Sequence, residues 1–579
     1  SNLFLGVDVG TGSVRAGLVD QRGRILEIAS RPLKINNPRP DHYEQSVNDI
    51  WSGVVHCIRQ VIQGVEDKSR IIGIGFDATC SLVVLDESGC GLCVNQDEDE
   101  SWDVMMWMDH RAKVQTEHIN NLEHPQVREV LQFVGGSISL EMQVPKLLWI
   151  KENLAKTWPR ARHFFDLSDF LTFKATGHIS RSLCATICKW TYLANLEEGS
   201  LRGWSRGFFD VVGLEDLTHD DFAKLGKDVL SGLSSPDKCD THTGSLHCSP
   251  GKCCGNVSQE FALATGLSEH IRVGASLIDA HAGVLGMLAC SPARNCGTFS
   301  EQLSIIAGTS TCHMALSKRA SQVPGVWGPY LSAILPKFWL LEGGQTAVGK
   351  LIDHILETHP AHDVAMRMMQ KLAFPTIQAY LEHVLSEMKD ELGLDHVALI
   401  ARSFHIWPDF HGNRSPLADP EMTGMISGLT LSKGVKNMAK CYLAAIQAVT
   451  YGTAHILEEM TKQGQDIRMV TICGGLSKSE IFVQTQADVL GLPVIQPNEK
   501  ESVLLGAAML GAAAVRSASN SNDEDYFTFI VEEMMGGGQT FLPNPSLKAF
   551  HDAKYQVFRA MGRDQLSYRH LMEQEFCQK

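Results

Sequence analysis

An aspartate stands directly before a glycine turn near the start of the chain, in the run Asp8-Val9-Gly10-Thr11-Gly12-Ser13. Residues 3–9 form a compact apolar run, which is typical of a buried strand. A carboxylate at the end of that strand would lie beside the backbone N–H groups of the turn. Such amides can hold phosphate oxygens while the carboxylate holds Mg²⁺ or its water. The motif indicates a Mg²⁺–phosphate site at Asp8, with an ordinary hairpin capped by Asp as the alternative.

Two further small-residue turns occur in the second half of the chain. Gly308-Thr309-Ser310-Thr311 follows one strand-like run, and Cys473-Gly474-Gly475-Leu476-Ser477 follows another. A second phosphate-binding hairpin would form a clamp with the first, and a glycine pair lets a base or ribose approach the backbone closely. Candidate nucleotide contacts are therefore Gly308, Thr309, Ser310, Gly474, Gly475 and Ser477.

A second aspartate is surrounded by small and apolar residues. Asp279 lies in Gly274-Ala275-Ser276-Leu277-Ile278-Asp279-Ala280-His281-Ala282-Gly283. Phosphoryl transfer needs a carboxylate that accepts the proton of the alcohol as its oxygen attacks. We predict that Asp279 is this general base. A helix N-cap is the alternative, because residues 280–282 could begin a helix, and the two roles are compatible.

One glycine-rich pattern resembles a P-loop only in part. Gly344 to Lys350 matches the glycine-and-lysine half of that motif. The next residue is Leu351, so the Ser or Thr hydroxyl that binds Mg²⁺ in a P-loop is missing. The sequence therefore argues against a P-loop nucleotide switch.

A cysteine-rich stretch lies between residues 235 and 256. Its spacing fits no common zinc pattern, and the stretch is rich in Ser, Gly and Pro. We expect a surface insertion in loop conformation, with a structural zinc site as the alternative. The residues concerned are Cys239, Cys248, Cys253 and Cys254, with His242 and His247 between them.

Hydrophobic patterning predicts how these residues are positioned. A chain of 579 residues is too long for one core, so two domains are expected. In the first half we predict strands at 3–9, 14–20, 24–30, 71–76 and 81–85, with a helix at 46–62. In the second half we predict strands at 304–307, 312–316 and 469–473, and helices at 437–460 and 477–490. The predicted domains are 1–284 and 285–545, followed by a terminal helix within 546–579 packed on the body.

The overall charge restricts the class of partner. The formal net charge is −15, which disfavours nucleic acid and anionic membranes as partners. No run of 18 uninterrupted apolar residues and no secretory signal is present, so neither a membrane span nor export is expected. The sixteen cysteines are then reduced thiols of a cytoplasmic protein. The sequence leaves open whether the protein is a monomer or a homodimer.

The motifs around Asp8, Asp279, Gly308 and Gly474 together resemble the FGGY family of carbohydrate kinases. The stretches 75–81, 107–112, 188–192, 342–345 and 407–416 are similar to its ribulokinase branch. The resemblance runs from about residue 3 to 516. It implies an α/β fold with two actin-like (ribonuclease H-like) ATPase domains, and with ATP and sugar in the central cleft.

The resemblance also implies roles for individual residues. Asp279 would be the catalytic base and Asp8 would organise Mg²⁺. The ketose would be held by Lys189, Asp279 and Glu342 and by the backbone near Ala78, with Asp109 and Arg111 as neighbours. Without the resemblance, Lys189 would be taken for a surface lysine beside Trp190. The residues that would face the phosphates of ATP are Gly10, Thr11, Gly12, Ser13 and Arg15.

The implied reaction is the ATP-dependent phosphorylation of D-ribulose to D-ribulose 5-phosphate. We expect the ketose to bind mainly to the first domain, and closure of the cleft to exclude water that would otherwise take the phosphoryl group. Alternatives on the same scaffold are kinases for L-ribulose, xylulose, glycerol or a heptulose. A non-catalytic actin-like ATPase is a further alternative, although the presence of both Asp8 and Asp279 argues against it.

Overall fold

The computed structural model describes residues 2–226, 246–290, 299–519, 526–534 and 536–576. Two seven-stranded sheets form the framework, one in each half of the chain. The strands of the first sheet are β1 (Leu3–Val9), β2 (Ser13–Asp20), β3 (Ile25–Pro32), β4 (Ile71–Ala78), β5 (Cys253–Asn256), β6 (Arg272–Gly274) and β7 (Leu277–Ile278). Their order is β5-β6-β4-β1-β2-β3, and β7 pairs with β4.

The second sheet has a closely similar plan. Its strands are β8 (Gln302–Ala307), β9 (Thr311–Ser317), β10 (Trp327–Leu331), β11 (Trp339–Gln345), β12 (Met469–Cys473), β13 (Val494–Pro497) and β14 (Gly538–Phe541). Their order is β10-β11-β9-β8-β12-β13-β14. In each sheet an antiparallel hairpin, β1–β2 or β8–β9, is extended by a parallel strand, β4 or β12. The predicted duplication of one strand–turn–strand unit is therefore present.

Eight helices position the site and the body around it. They are α1 (Val47–Val61), α2 (Leu183–Trp190), α3 (Asp279–Leu288), α4 (Gly349–Glu357), α5 (Val435–Lys462), α6 (Glu480–Leu490), α7 (Ser502–Ser519) and α8 (Lys548–Phe576). The other α-helices are Lys113–Asn121, Pro125–Leu131, Gln143–Asn153, Thr157–Arg160, Leu167–Thr176, Arg206–Val212, Asp216–His219, Gln259–Thr265, His362–Lys371, Ile377–Glu391 and Tyr526–Glu533.

Smaller sheets complete the secondary structure. One has four strands, Glu44–Gln45, Leu82–Leu85, Val104–Met105 and His163–Asp166. The two-stranded pairs are Ser180–Ser182 with Leu246–Cys248, Leu193–Asn195 with Ser200–Gly203, and His405–Trp407 with Met425–Ser427.

The central strands form because their sequences are apolar on both faces. All seven residues of β1 are buried, as expected for a strand covered on both sides. On one side lies α7, the one helix of the described chain that is long and apolar enough to cross a membrane. It is instead a core helix, because 67% of it is buried inside the protein.

Helices α3 and α7 cross in backbone contact. A Cβ atom added at Gly506 would lie 1.9 Å from the carbonyl oxygen of Ala282, and one added at Gly286 would lie 2.0 Å from that of Ser502. Only glycine permits so close an approach. The predicted boundary between residues 284 and 285 falls inside α3, and α7 packs on the first sheet. No single cut in the chain therefore separates the two packed halves.

The terminal helix α8 packs on the second half. The ammonium of Lys554 is buried and donates hydrogen bonds to the carbonyl oxygen of Phe404 at 2.9 Å and to Oε1 of Gln447 at 2.8 Å. The ring of Phe558 lies 4.5 Å from that of Trp407. These contacts fix the helix to the body, as the sequence predicted.

The cysteine-rich stretch is only partly what the sequence predicted. Residues 227–245, with Cys239 and His242, lie outside the described residues. The remainder is not a surface loop, because residues 246–248 pair with 180–182 and β5 is an edge strand of the first sheet. Short strands with sequences such as Cys-Cys-Gly-Asn lack the apolar alternation that would have indicated them.

Candidate active site

Three carboxylates come together because three strands of the first sheet end side by side. In the parallel pairing of β1 with β4, Asp8 lies opposite Asp77. In the pairing of β7 with β4, Leu277 lies opposite Asp77 and Ile278 opposite Ala78. Asp279 follows directly and begins α3. The sheet thus places the predicted metal residue, the predicted base and Ala78 at one edge.

The acidic group is only partly neutralised by a cation. Arg15 donates from Nε to Oδ2 of Asp8 at 2.9 Å, and it also forms an ion pair with Glu501. Asp77 is completely buried, and neither of its carboxyl oxygens has a hydrogen-bond partner. Burial, and next the charge of Asp8, raise the pKa of Asp77 well above its usual range. Asp77 was not predicted as a site residue, and its place in the stretch 75–81 noted above was the only signal for it.

Asp279 is positioned as the first residue of a helix. Its Oδ1 accepts a hydrogen bond from the backbone N–H of Ala280 at 2.7 Å, while Ile278 occupies the N-cap position, so the alternative that Asp279 is the N-cap is wrong. Burial, and next the charge of Asp8, raise its pKa to about 6. A carboxylate with that pKa is ionised at neutral pH and is a stronger base than an ordinary aspartate.

The first glycine turn is fixed from outside. Trp107 donates from its indole nitrogen to the hydroxyl of Thr11 at 3.0 Å, and Gln45 donates to the carbonyl of Thr11 at 2.9 Å. Inside the turn, the N–H of Gly10 donates to the carbonyl of Ser13 at 3.0 Å, while Gly12 at the tip is exposed. Trp107 was not predicted as a site residue.

The two turns of the second sheet also lie side by side. Ile306 pairs with Cys473, so Gly308 and Gly474 follow strands that end at the same edge. Gly474 has φ +99°, and an added Cβ would lie 2.4 Å from the carbonyl oxygen of Ala307. The hydroxyl of Ser477 donates to the carbonyl of Gly474 at 2.8 Å and so stabilises the turn. Thr309 and Gly475 are exposed, with no side chain covering them.

Helix α3 joins the two edges. It begins at Asp279 beside the first sheet and packs against β8 and β12 of the second. At Gly283 an added Cβ would lie 3.6 Å from Ile306 and 4.0 Å from the sulfur of Cys473. Helix α3 therefore connects the edge of the first sheet that carries Asp279 to the two glycine turns of the second sheet. The cleft lies between these two edges.

Lys189 and Glu342 converge in this cleft from opposite halves of the chain. Lys189 lies in the last turn of α2, and Glu342 lies on β11. The ammonium is 3.7 Å from Oε1 of Glu342 and 3.9 Å from Oε2 of Glu141. Burial alone would lower the pKa of Lys189, but Glu342 raises it above the usual value, so the pair is charged. These separations exceed a direct hydrogen bond and leave donor capacity for a ligand.

Three further residues complete this pocket. Arg414 donates to Oε1 of Glu342 at 3.0 Å, and its guanidinium lies 4.1 Å from the ring centre of Trp327. Lys189 lies over the same ring at 4.5 Å. Glu141, Trp327 and Arg414 were not predicted as site residues. Arg414 lies in the stretch 407–416 noted above, which was the only signal for it.

Family models match both halves of the chain. The N-terminal domain of the FGGY family of carbohydrate kinases matches residues 3–225, and its C-terminal domain matches residues 303–515. The chain belongs to the FGGY family of carbohydrate kinases. The predicted sugar kinase class is thereby confirmed, and ATP is the co-substrate that the family implies.

Relatives of this FGGY kinase align over nearly its whole length. It is 44% identical to an FGGY carbohydrate kinase domain-containing protein of Homo sapiens, over 99% of this chain and 98% of that protein. It is 37% identical to a D-ribulokinase of Saccharomyces cerevisiae, over 91% of this chain and 73% of that protein. The crystal structure of xylulose kinase from Rhodospirillum rubrum shares the fold, with a TM-score of 0.74 at 18% identity, covering 98% and 100% of the two chains. The predicted two-domain actin-like fold is confirmed.

The predicted sugar neighbours Asp109 and Arg111 are bonded to each other and to nearby residues. Asp109 is buried, and its two carboxyl oxygens accept from the backbone N–H groups of Tyr43 and Arg111 and from the guanidinium of Arg111. Arg111 also donates to Glu44 at 2.9 Å and lies over the ring of Trp149. This network stabilises the segment that carries Trp107. A contact of Asp109 with the sugar stays a prediction.

The residues of this pocket come from both halves of the chain, whereas we expected the ketose to bind mainly to the first domain. Glu342, Trp327 and Arg414 come from the second half, whereas Lys189 and Glu141 come from the first. The pocket is therefore shared between the halves and is not mainly a property of the first domain.

Asp8 fits a magnesium ion. The ion needs only one or two carboxylates when phosphate oxygens and waters complete its octahedron. Asp8, Asp77 and Asp279 meet with Arg15 as the cation in direct contact, and burial, followed by the charge of Asp8, raises the pKa of Asp77 and Asp279. Such a surplus of acidic groups over cations favours a bound cation.

Proposed function

We propose that this FGGY kinase transfers the γ-phosphoryl group of ATP to a hydroxyl of D-ribulose, which gives D-ribulose 5-phosphate and ADP. The observation that carries the proposal is the juxtaposition of two groups around the start of α3. A base with raised pKa lies beside a phosphate turn, and the buried, incompletely paired Lys189–Glu342–Arg414 cluster lies against His281, two residues after that base. The substrate is supported by the 37% identity to the yeast D-ribulokinase.

Asp279 acts as the general base. As the terminal oxygen of the ketose attacks the γ-phosphorus, its proton moves to the carboxylate of Asp279, and the bond between that phosphorus and the ADP oxygen breaks. The N–H of Ala280 holds the carboxylate in place, so the base is oriented before the substrate arrives.

Asp8 would hold Mg²⁺, which would supply charge neutralisation to the transferring phosphoryl group. Arg15 keeps the Asp8 carboxylate oriented, and the turn of residues 10–13 would face the phosphates. The raised pKa of Asp77 limits repulsion beneath the site, because three ionised carboxylates would oppose one another in a buried position.

Lys189, Arg414 and Glu342 orient the sugar. Lys189 and Arg414 donate to hydroxyl or carbonyl oxygens, and Glu342 accepts from hydroxyl protons. A site built from buried directional groups rejects an analogue that lacks a partner hydroxyl, because the charge is then left unpaired. This favours a pentulose over glycerol.

We place the reaction in the cytoplasm. The thirteen cysteines of the described residues are free thiols, which supports a reducing compartment. A homodimer remains a prediction that analytical ultracentrifugation would test.

The experiment is a panel of sugars assayed by ADP release, with D-ribulose, L-ribulose, D-xylulose and glycerol. We expect D-ribulose to have the highest kcat/KM and glycerol to fall at least about 10²-fold below it. Glu342→Gln should raise the KM for D-ribulose by about 10- to 150-fold, since a charged hydrogen bond is lost, while the KM for ATP stays constant. Glycerol or xylulose as the best substrate would contradict the assignment, and sugar-independent ATP turnover would favour the non-catalytic ATPase.

A further inference from the structure

A group of metal-ligand side chains lies next to the sugar pocket and has no part in the mechanism above. Cys184, Cys188 and His281 each offer one ligand atom, and these atoms all lie within 4.8 Å of one another. Within the part of the chain that the structure describes, no other set of three His, Cys, Asp or Glu side chains meets this condition. All three residues are buried.

The fold brings these three side chains together in a defined way. Cys184 and Cys188 are four residues apart on α2, so their sulfurs lie on one face of the helix. The hydroxyl of Ser182 caps the same helix by accepting from the N–H of Cys184 at 3.2 Å. His281 is in the first turn of α3, two residues after Asp279. Both helices are packed, so the ligand atoms are held by rigid elements.

The distances match a tetrahedral soft cation. With Zn–S about 2.3 Å and Zn–N about 2.1 Å, a tetrahedral ion separates the sulfur and nitrogen ligands by about 3.6 Å. The sulfur of Cys188 lies 3.6 Å from Nε2 of His281. Oε2 of Glu342 also lies 3.6 Å from that nitrogen, and this buried oxygen has no hydrogen-bond partner. Glu342 is not part of the set whose ligand atoms lie within 4.8 Å of one another, so it is an anionic neighbour of His281 beside the three ligands.

The surrounding charges favour a metal with two thiolates. A divalent ion with two thiolate ligands is electrically neutral, so its arrival adds no net charge to the buried pocket. Lys189 and Arg414 already lie within 3.7 Å and 3.0 Å of Glu342, and they stabilise anionic ligands nearby. The thiols lose two protons to solvent as the ion binds, and no oxidation or reduction is involved.

We propose that Cys184, Cys188 and His281 form a binding site for one soft divalent cation, Zn²⁺ or Cd²⁺. We also propose that this ion and the ketose exclude each other, because the bound ion attracts the carboxylate of Glu342, whose Oε2 lies 3.6 Å from Nε2 of His281. The exclusion rests on the proposed function, because that function makes Glu342 a ketose ligand. Metal binding itself does not depend on the substrate. The site would make the kinase sensitive to thiophilic metal ions.

The binding half is tested by titrating the reduced, metal-free full-length protein with CdCl₂. We expect one equivalent to bind with the ultraviolet charge-transfer absorption of cadmium thiolates. Cys184→Ser and Cys188→Ser should each lose this band, and Cys57→Ser should keep it, because Cys57 is an equally buried helical cysteine in α1. One-to-one binding that survives the double substitution would overturn the site.

A measurement on the unaltered protein removes the dependence on folding of the variants. One equivalent of Zn²⁺ should protect Cys184 and Cys188 from alkylation by iodoacetamide during partial unfolding in urea, as mapped by mass spectrometry, while Cys57 reacts at its former rate. Equal modification of all three cysteines with and without Zn²⁺ would contradict the proposal.

The exclusion half is tested by kinetics with excess Mg²⁺. Zn²⁺ at ten times its Kd should raise the KM for D-ribulose about elevenfold and leave the KM for ATP unchanged. D-ribulose should in turn displace Cd²⁺ and abolish the charge-transfer band. If the band persists at saturating D-ribulose, the exclusion is wrong while the metal site stands. If D-ribulose is no substrate but Cd²⁺ still binds, the proposed function fails and the metal site stands.

Discussion

Two clusters of buried charges lie in this FGGY kinase, and they differ in how completely their hydrogen bonds are satisfied. Around Asp109, Arg111 and Glu44 the partners lie 2.6 to 3.0 Å apart, and the side chains of Arg111 and Glu44 are fully buried. Around Lys189 the nearest carboxylate oxygens are 3.7 and 3.9 Å away, and Oε2 of Glu342 has no partner. We call the first cluster closed, because its hydrogen bonds are satisfied, and the second cluster open, because it has unused donors and acceptors.

The difference separates structural charges from functional ones. A closed network loses stability when one member is removed, because the remaining charge stays buried without a partner. An open cluster keeps donors and acceptors for a ligand, and its removal changes binding more than folding. Burial and charge are common to both clusters. The unused hydrogen-bonding capacity is the property that identifies the site.

The largest expected effect concerns the base of the open cleft. Asp279→Asn should lower kcat by about 10²–10⁴, because the amide cannot accept the hydroxyl proton. The amide oxygen can still accept from Ala280, so the helix start and ligand affinities should be kept. Calorimetric titration with ATP and D-ribulose is the control. A kcat within about threefold of the unaltered enzyme would remove Asp279 from this role.

Removing one charge from the closed network should lower the stability of the protein. Arg111→Met leaves Asp109 and Glu44 buried without their cation, and we expect a loss of about 3–5 kcal/mol in the free energy of unfolding. Urea denaturation measures it. Arg128→Met, which breaks the exposed pair with Glu123, is the matched control and should stay within about 0.5 kcal/mol. A specific rise in the KM for the sugar, with stability unchanged, would return Arg111 to the site.

The two paired aspartates of the first sheet should behave differently. Asp8→Asn should raise the Mg²⁺ concentration needed for half-maximal rate by at least about tenfold, because an ionised metal ligand is lost. Asp77→Asn should leave that concentration within about threefold, because burial holds the pKa of Asp77 well above its usual range and makes it the carboxyl less suited to bind a cation. Rates measured across a Mg²⁺ titration compare the two variants. Similar losses in both would mean that Asp77 is ionised and functional.

The pH profile gives the smallest effect. Because the pKa of Asp279 is raised to about 6, the base is active above this pH and protonated below it. We expect kcat/KM to fall about tenfold per unit as pH drops below 6. Asp8→Asn should move the break to lower pH, since the charge of Asp8 contributes to the raised pKa. A break that stays in place would show that burial alone sets this pKa.

The features predicted correctly from the sequence are those that depend on a local pattern of residues. Both glycine hairpins, the strand that carries Asp8 and the position of Asp279 follow from apolar runs interrupted by glycine. Helix α5 was predicted at 437–460 from a helical pattern in the sequence, and it spans Val435–Lys462. Each of these features depends on residues that are neighbours in the chain.

The remainder depends on contacts that no local pattern records. Glu141, Trp327 and Arg414 join Lys189 and Glu342 only when the two halves fold together. Asp109 was predicted as a sugar neighbour from the resemblance, and one of its hydrogen-bond partners, the N–H of Tyr43, lies 66 residues earlier in the chain. The raised pKa of Asp77 likewise follows from burial and from strand pairing with Asp8, which the sequence does not display.

The crossing of α3 and α7 through Gly286 and Gly506 has a consequence for genetic variation. Each glycine faces a carbonyl oxygen at a distance that leaves no room for a methyl group. An inherited change to alanine at either position would force the helices apart and shift Asp279 relative to the turns of the second sheet. We therefore expect alleles at these codons to inactivate the enzyme although every residue of the cleft is intact. A clinical or population survey that ranks variants by their distance from the substrate would underestimate the effect of these two substitutions.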